Sequence, residues 1–293
     1  MIVTVTLNPA LHVGYQANRV SRGGANPVRR VTYRAGGRGL AVARVLHTFG
    51  HDVVAAGLVG GGAGEVIRGE LARAGVATQF TWITGESRRV LEVADESDGT
   101  VTTFSEPAPY ITTEELGRLA ADYRSLMADA TAAVLCGSLP DGLPAETYGS
   151  LASYAEEAGV PVVLDASGSA LHHAVSRRPA LAIPGPDAAD PAELLAIGAG
   201  AVAVVSGSGA RAVTADGEWR ADLAGQHADT ATRDAMVAGF VPGIALSWSW
   251  PDTLAHAVAL ARSTSQAGEV DLQAYERLLT RVCVVPVGPG RRR

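Results

Sequence analysis

Lysine is absent from the 293-residue sequence; all 24 basic residues are arginine. That excludes a Walker-A GK[ST] loop, a protein-kinase strand lysine and Schiff-base chemistry. Any phosphate clamp must therefore use arginine or backbone N–H groups. Cysteine is nearly absent as well. Cys136 and Cys283 lie far apart without metal-ligand spacing, which suits a reduced cytoplasmic protein. The 7 histidines form no H-E-x-x-H pattern, so no metal ligands are assigned. No apolar run is long enough to span a membrane. The amino terminus, MIVTVTLNPAL, has no basic n-region and reads as a strand rather than a signal peptide. An excess of positive charge is also missing. The net charge of -6 argues against nucleic acid as a partner.

What is present suits an α/β protein. With 47% hydrophobic and 18% charged residues, the chain can bury a sizeable core. Short β-branched runs alternate with helical patterns, as in βαβ units around a mainly parallel sheet. Expected strands are Ile2–Leu7, Val53–Val59, Ala132–Cys136, Val160–Asp165, Ala180–Ile183 and Ala201–Ser206. Expected helices are Gly39–Gly50, Gly64–Ala74, Thr113–Ala128, Pro144–Ala158, Ala192–Ile197, Asp234–Ser247, Asp252–Gln266 and Asp271–Val282. Residues 12–33 and 88–105 break the alternation and read as antiparallel pieces that pair into a small β-lid. No linker separates independent units, so residues 1–293 are expected to form a single domain. Sites in such sheets lie at the carboxyl ends of strands.

Several Gly-rich turns stand at those ends. Gly36 and Gly37 precede Arg38 at the opening of a helix, where backbone can approach a ligand and free N–H groups favour an anion. Gly137-Ser138-Leu139-Pro140 and Asp165-Ala166-Ser167-Gly168 each connect a strand to a helix. Singly, each is more often a satisfied turn. Asp234 opens an apolar helix over 235–247. It can serve there as an N-cap or as a general base.

In order along the chain, these motifs closely resemble those of the PfkB (ribokinase-like) sugar kinases, nearest to the 1-phosphofructokinase and tagatose-6-phosphate kinase branch. The matching stretches are LNPALH at 7–12, AGGRGLAVA at 35–43, GESR at 85–88, EPAP at 106–109, GSLP at 137–140, DASG at 165–168 and DTATRDAMVAG at 229–239. The resemblance implies a ribokinase-like fold whose β-lid also forms a homodimer contact. It implies ATP- and Mg²⁺-dependent phosphoryl transfer to a phosphosugar such as fructose 1-phosphate or tagatose 6-phosphate. By the same resemblance Asp234 is the base, and Thr232 and Arg233 belong to the anion hole. Arg88 and Arg38 meet the phosphate already on the substrate. His12, Gly36, Gly37 and Ser138 line the sugar pocket, and Ser206, Gly207 and Gly209 belong to the nucleotide loop.

The departures from the family pattern fall where chemistry is most demanding. His12 and Ala41 stand for an Asp and an Asn, Arg38 for a lysine, and Val90 for an Asn two places after Arg88. Ala231 and Arg233 replace anion-hole glycines. Pro184-Gly185-Pro186-Asp187 replaces a P-N-x-x-E segment, leaving Asp187 or Asp190 as substitutes. Two further readings follow from these departures. One is a pseudokinase that binds a sugar phosphate or another small anion; the other is a kinase with a reshaped sugar pocket.

Overall fold

The computed structural model describes residues 1–140, 142–185, 190–206, 209–222, 230–265 and 268–287, the side chains of residues 230 and 231 excepted. The chain order is β1 (Ile2–Thr6), β2 (Ala10–Ala17), β3 (Arg30–Gly36), α1 (Arg38–Thr48), β4 (Val53–Gly60), α2 (Gly61–Arg73), β5 (Ala77–Ile83), β6 (Arg89–Asp95), β7 (Val101–Ser105) and α3 (Thr113–Met127). It continues β8 (Ala132–Cys136), α4 (Thr147–Glu157), β9 (Val162–Asp165), α5 (Gly168–Val175), β10 (Leu181–Ala182), α6 (Pro191–Ile197), β11 (Ala201–Val205), β12 (Gly209–Thr214), β13 (Glu218–Asp222), α7 (Thr230–Ala245), α8 (Trp250–Arg262), α9 (Leu272–Leu279) and β14 (Cys283–Pro286).

The architecture is α/β. A ten-stranded sheet runs in the order β14-β13-β12-β11-β10-β9-β8-β1-β4-β5. It is parallel from β5 to β11 and antiparallel from β11 to β14. The central strands are apolar along their length, as burial on both faces requires; β1 and β8 are buried at every position. One face carries a core that includes α1, α7 and α8 residues such as Leu40, Phe240 and Leu254. The other carries Leu119, Leu151 and Leu171 from α3, α4 and α5.

Helix ends follow local chemistry. Thr112 and Glu115 form a capping box at α3, with Glu115 Oε1 also accepting from the Thr84 N–H. Helix α2 starts at Gly61, earlier than the expected Gly64, because Glu86 accepts from the Gly62 and Ala63 N–H groups at 3.2 and 2.6 Å. Helix α7 starts at Thr230 rather than Asp234. The helix-compatible residues over 231–233 let the chain wind up one turn before the acid. Asp234 is thus inside the i→i−4 ladder and is not an N-cap.

The expected lid exists as a separate four-stranded sheet, order β3-β2-β6-β7. Two antiparallel hairpins join through a parallel β2–β6 pairing. Its register separates two faces. Tyr33, Val13, Leu91 and Phe104 form one apolar row across all four strands, and Arg34, His12, Val90 and Ser105 form a row on the opposite face. No helix among the described residues is long and apolar enough to cross a membrane.

Candidate active site

The site gathers where α1, α7 and the carboxyl ends of β8, β9 and β10 meet the polar face of the lid. Gly37, with φ of 132°, turns the chain from β3 into α1. A Cβ at Gly39 would press into the β1 backbone, with the Val5 carbonyl oxygen at 2.8 Å. Glycine therefore lets α1 lie close against β1, and this sets Arg38 over the strand ends.

Arg38 sits between two carboxylates. One of its terminal nitrogens pairs with Asp165 Oδ2, and its Nε donates to Asp234 Oδ1 at 3.2 Å. A cation at the first position of a helix opposes the helix dipole, and the two acids offset that cost. Asp165, 1% exposed at the end of β9, is also held by Arg233, whose Nη2 donates to its Oδ1 at 2.9 Å and to the Pro184 carbonyl at 2.9 Å. The result is a chain of four alternating charges, Asp234–Arg38–Asp165–Arg233. Burial is the main influence on Asp234 and pushes its pKa up to about 6, while Arg38 and Arg233 pull it down. Burial likewise lowers the pKa of Arg233.

A cavity of about 800 Å³ opens beside this chain. It is lined by Asp234, Arg38, Gly37, Ala41 and Arg44 from the body and by His12, Arg34, Gly36, Arg88 and Glu92 from the lid side. The His12 ring lies over Gly36, where any Cβ would strike it, so a side chain there is excluded. Its Nδ1 is 3.8 Å from Glu92 Oε1, yet burial leads the influences on its pKa and lowers it, Glu92 opposing and Arg34 and Arg88 adding to the fall. Arg88 is oriented by Asn8, whose Oδ1 accepts from its Nε at 3.0 Å. Asn8 in turn donates to Ser138 Oγ at 3.4 Å.

Asp234, Arg38, Gly36, Gly37, His12 and Arg88 therefore converge on one cavity, as expected from the sequence. Ser138 stands behind Arg88 rather than on the cavity wall. Thr232 and Arg233 occupy the first turns of α7, and the Arg233 side chain is turned to Asp165 and the strand ends. Ser206 and Gly209 close the β11–β12 turn, the Ser206 N–H and Oγ both donating to the Gly209 carbonyl. Ser206 lines a different, smaller cavity of about 220 Å³. Gly209 is required there because a Cβ would collide with the Ala221 carbonyl. Gly207 and Asp187 lie outside the described residues. Asp190 caps α6, accepting from the Ala192 N–H at 3.0 Å.

The described residues hold no ready-made side-chain cage for a divalent ion, and a Mg²⁺ ion here would take most of its ligands from nucleotide phosphates and water. Both Asp165 oxygens are taken by guanidinium groups, Asp190 is committed to its helix, and no cluster of three or more His, Cys, Asp or Glu residues occurs among the described residues. Sequence reading missed Asp165 as the hinge of the charge chain, although a lone acid ending an apolar strand was a usable signal. It also missed Arg34, Arg44, Glu92 and Glu269 on the cavity wall, which no short motif marks.

Residues 11–273 match the pfkB family of carbohydrate kinases. Among solved structures, the chain is similar to a "putative phosphofructokinase" from Staphylococcus aureus, at 25% identity and TM-score 0.87 over 98% of this chain and 99% of that one. It is also similar to a "possible 1-phosphofructokinase" from Thermotoga maritima, at 24% identity and TM-score 0.81 over 98% and 99%. Phosphofructokinase-2 from Escherichia coli in complex with fructose-6-phosphate aligns at 22% identity and TM-score 0.83 over 96% and 98%.

Proposed function

Because the chain belongs to the pfkB family of carbohydrate kinases, we propose that it transfers the terminal phosphoryl group of ATP to a hydroxyl of a phosphosugar, of the fructose 1-phosphate or tagatose 6-phosphate type. The observation that carries this reading is that Asp234 and Arg88 line one cavity. A buried carboxylate with a raised pKa borders a space that is also bordered by an oriented guanidinium. Arg88 takes the phosphate already on the sugar, for which a planar fork is suited. This turns a hydroxyl toward Asp234.

Arg38 holds Asp234 Oδ1, so Oδ2 is the oxygen that takes the hydroxyl proton. The substrate oxygen then bonds to the terminal phosphorus, the bond from that phosphorus to the bridging oxygen breaks, and ADP leaves. As Asp234 is protonated, the four-charge chain passes from net zero to net positive while the transferring group sheds its bond. Positioning and charge carry reactions of this type. Mg²⁺ would be carried on the ATP phosphates, where it would offset their charge, and no described side chain is assigned to it.

The lid supports a homodimer. Its row of Tyr33, Val13, Leu91 and Phe104 faces away from the site, and Tyr33 and Phe104 are 55% and 58% exposed. Val13 is buried and Leu91 packs on the core, so the exposed apolar surface is that of Tyr33 and Phe104 at the two outer strands, and these are the residues offered to a partner.

The test is ADP release from ATP in the presence of fructose 1-phosphate or tagatose 6-phosphate. Loss of a general base lowers rates by about 10²–10⁴-fold, so Asp234→Asn should cut kcat by that factor with little change in KM. Turnover that survives Asp234→Asn would overturn the assignment. A second reading, a pseudokinase that only binds a sugar phosphate, is favoured by one observation. Arg233 stands where the family pattern has a glycine, and its side chain covers Asp165 and the end of β10. Fructose 1-phosphate binding without ATP binding, by calorimetry on the folded protein, would select that reading.

A further inference from the structure

Arg34 and Arg44 border the same cavity, and the proposed transfer leaves them without a task. Arg34 lies directly across from His12 in the β2–β3 ladder, on the polar face of the lid. Arg44, on α1, is fixed by its Nη2, which donates to the Ala35 carbonyl at 2.9 Å. The Arg44 guanidinium and the His12 ring thus meet the Ala35–Gly36 backbone, and Arg34 reaches across to Gly268. Among the described residues no carboxylate oxygen comes within 4.0 Å of Arg34 or Arg44. Glu92 is near His12, Glu269 borders the cavity, and Glu70 acts on Arg44 only from a distance. The charge on Arg38 and Arg233, by contrast, is met by Asp165 and Asp234. Two cations, one of them partly buried, therefore line the cavity without an ion pair of their own, and Arg34 reaches Asp234 only through its longer-range field. Burial and the nearness of Arg34 both lower the pKa of Arg44.

We propose that Arg34, Arg44 and His12 form a second anion subsite, and that the substrate is a phosphorylated sugar acid. Its phosphate lies on Arg88 and its carboxylate on the Arg34–Arg44 pair. A neutral polyol end would leave the donors of this wall with weaker acceptors, whereas a carboxylate accepts from two guanidinium groups at once. The inference rests on the phosphosugar reading but puts a phosphorylated sugar acid in place of the ketose phosphates named there.

Two acyclic ligands that differ at one carbon test it: gluconate 6-phosphate, with a C1 carboxylate, and sorbitol 6-phosphate, with a C1 alcohol. In calorimetric titrations without nucleotide, gluconate 6-phosphate should bind about tenfold tighter or more, the scale of a charge-assisted hydrogen bond. Arg34→Ala should bring the two within about twofold of each other, and Arg34→Gln should do the same without the loss of packing. Arg88→Ala should weaken both. Equal binding of the two ligands by the unaltered protein, or a preference that survives both Arg34 variants, would overturn the carboxylate subsite while leaving the phosphosugar reading in place. Failure of both ligands and of fructose 1-phosphate to bind would overturn the two together.

Discussion

Asp234 is under opposed influences, and their balance sets when it can act. Burial raises its pKa to about 6, from an ordinary value near 3.8, and Arg38 and Arg233 hold it from rising further. As a base it must be ionised, so kcat/KM should rise with pH and level off above about 6; an acid limb near pH 4 in the measured profile would mean that the titrating group is elsewhere. The sign for stability is opposite. Between about pH 4 and 6 the folded state binds more protons here than the unfolded chain, so this group costs stability as pH rises through that window. Asp165 plays the complementary part. Removing it leaves Arg38 and Arg233 without their shared acid. Asp165→Ala should therefore destabilise the protein by about 3–5 kcal/mol in urea unfolding, the cost of breaking a buried pair; a loss below about 1 kcal/mol would mean that the charge chain is solvated. The motif signalled Asp234, Arg38 and Arg88. It could not signal Arg34 or Arg44, because their convergence depends on how β3 and α1 pack across the cavity.

At the scale of elements, the start of α7 shows how a sequence reading can have the right helix and the wrong end. The apolar run fixed where the helix continues. Its first turn depended on Ala231, Thr232 and Arg233 joining it, which local pattern does not settle because the N-terminal turn has no ladder of its own. The middle of α7 is set by close packing. A Cβ at Gly239 would lie 2.5 Å from Ala257 Cα on α8. Gly239→Leu should push these helices apart and lower stability by at least about 1–3 kcal/mol by overpacking, read as a fall in Tm. An unchanged Tm would show that α8 can yield there. In α3, by contrast, the start is set locally: Thr112 and Glu115 form a capping box, and backbone N–H groups from Thr112 and Thr84 hold the Glu115 pKa down at about 2. That stabilisation is present above about pH 4.5 and should be lost as pH falls toward 2.

For the molecule as a whole, the lid divides two functions by the two-residue period of its strands. One face turns His12, Arg34 and Glu92 to the cavity; the other presents Tyr33 and Phe104 outward. If the outward row is the dimer contact, Phe104→Asp should convert a dimer to a monomer in analytical ultracentrifugation, without loss of helix content by circular dichroism. A dimer that persists in this variant would place the contact on another surface. The sequence by itself determined the α/β alternation, the two lid hairpins, the lack of any lysine chemistry and the ordered motifs around Asp234. These rest on local periodicity, on residue type and on short spacings. Only the tertiary structure decided that Asp165 joins two arginines, that Ser206 and Gly209 sit apart from the main cavity, and that Arg34 and Arg44 share its wall. Each of these depends on contacts between residues distant in the chain, whose geometry is set by sheet order and helix packing rather than by neighbours in sequence.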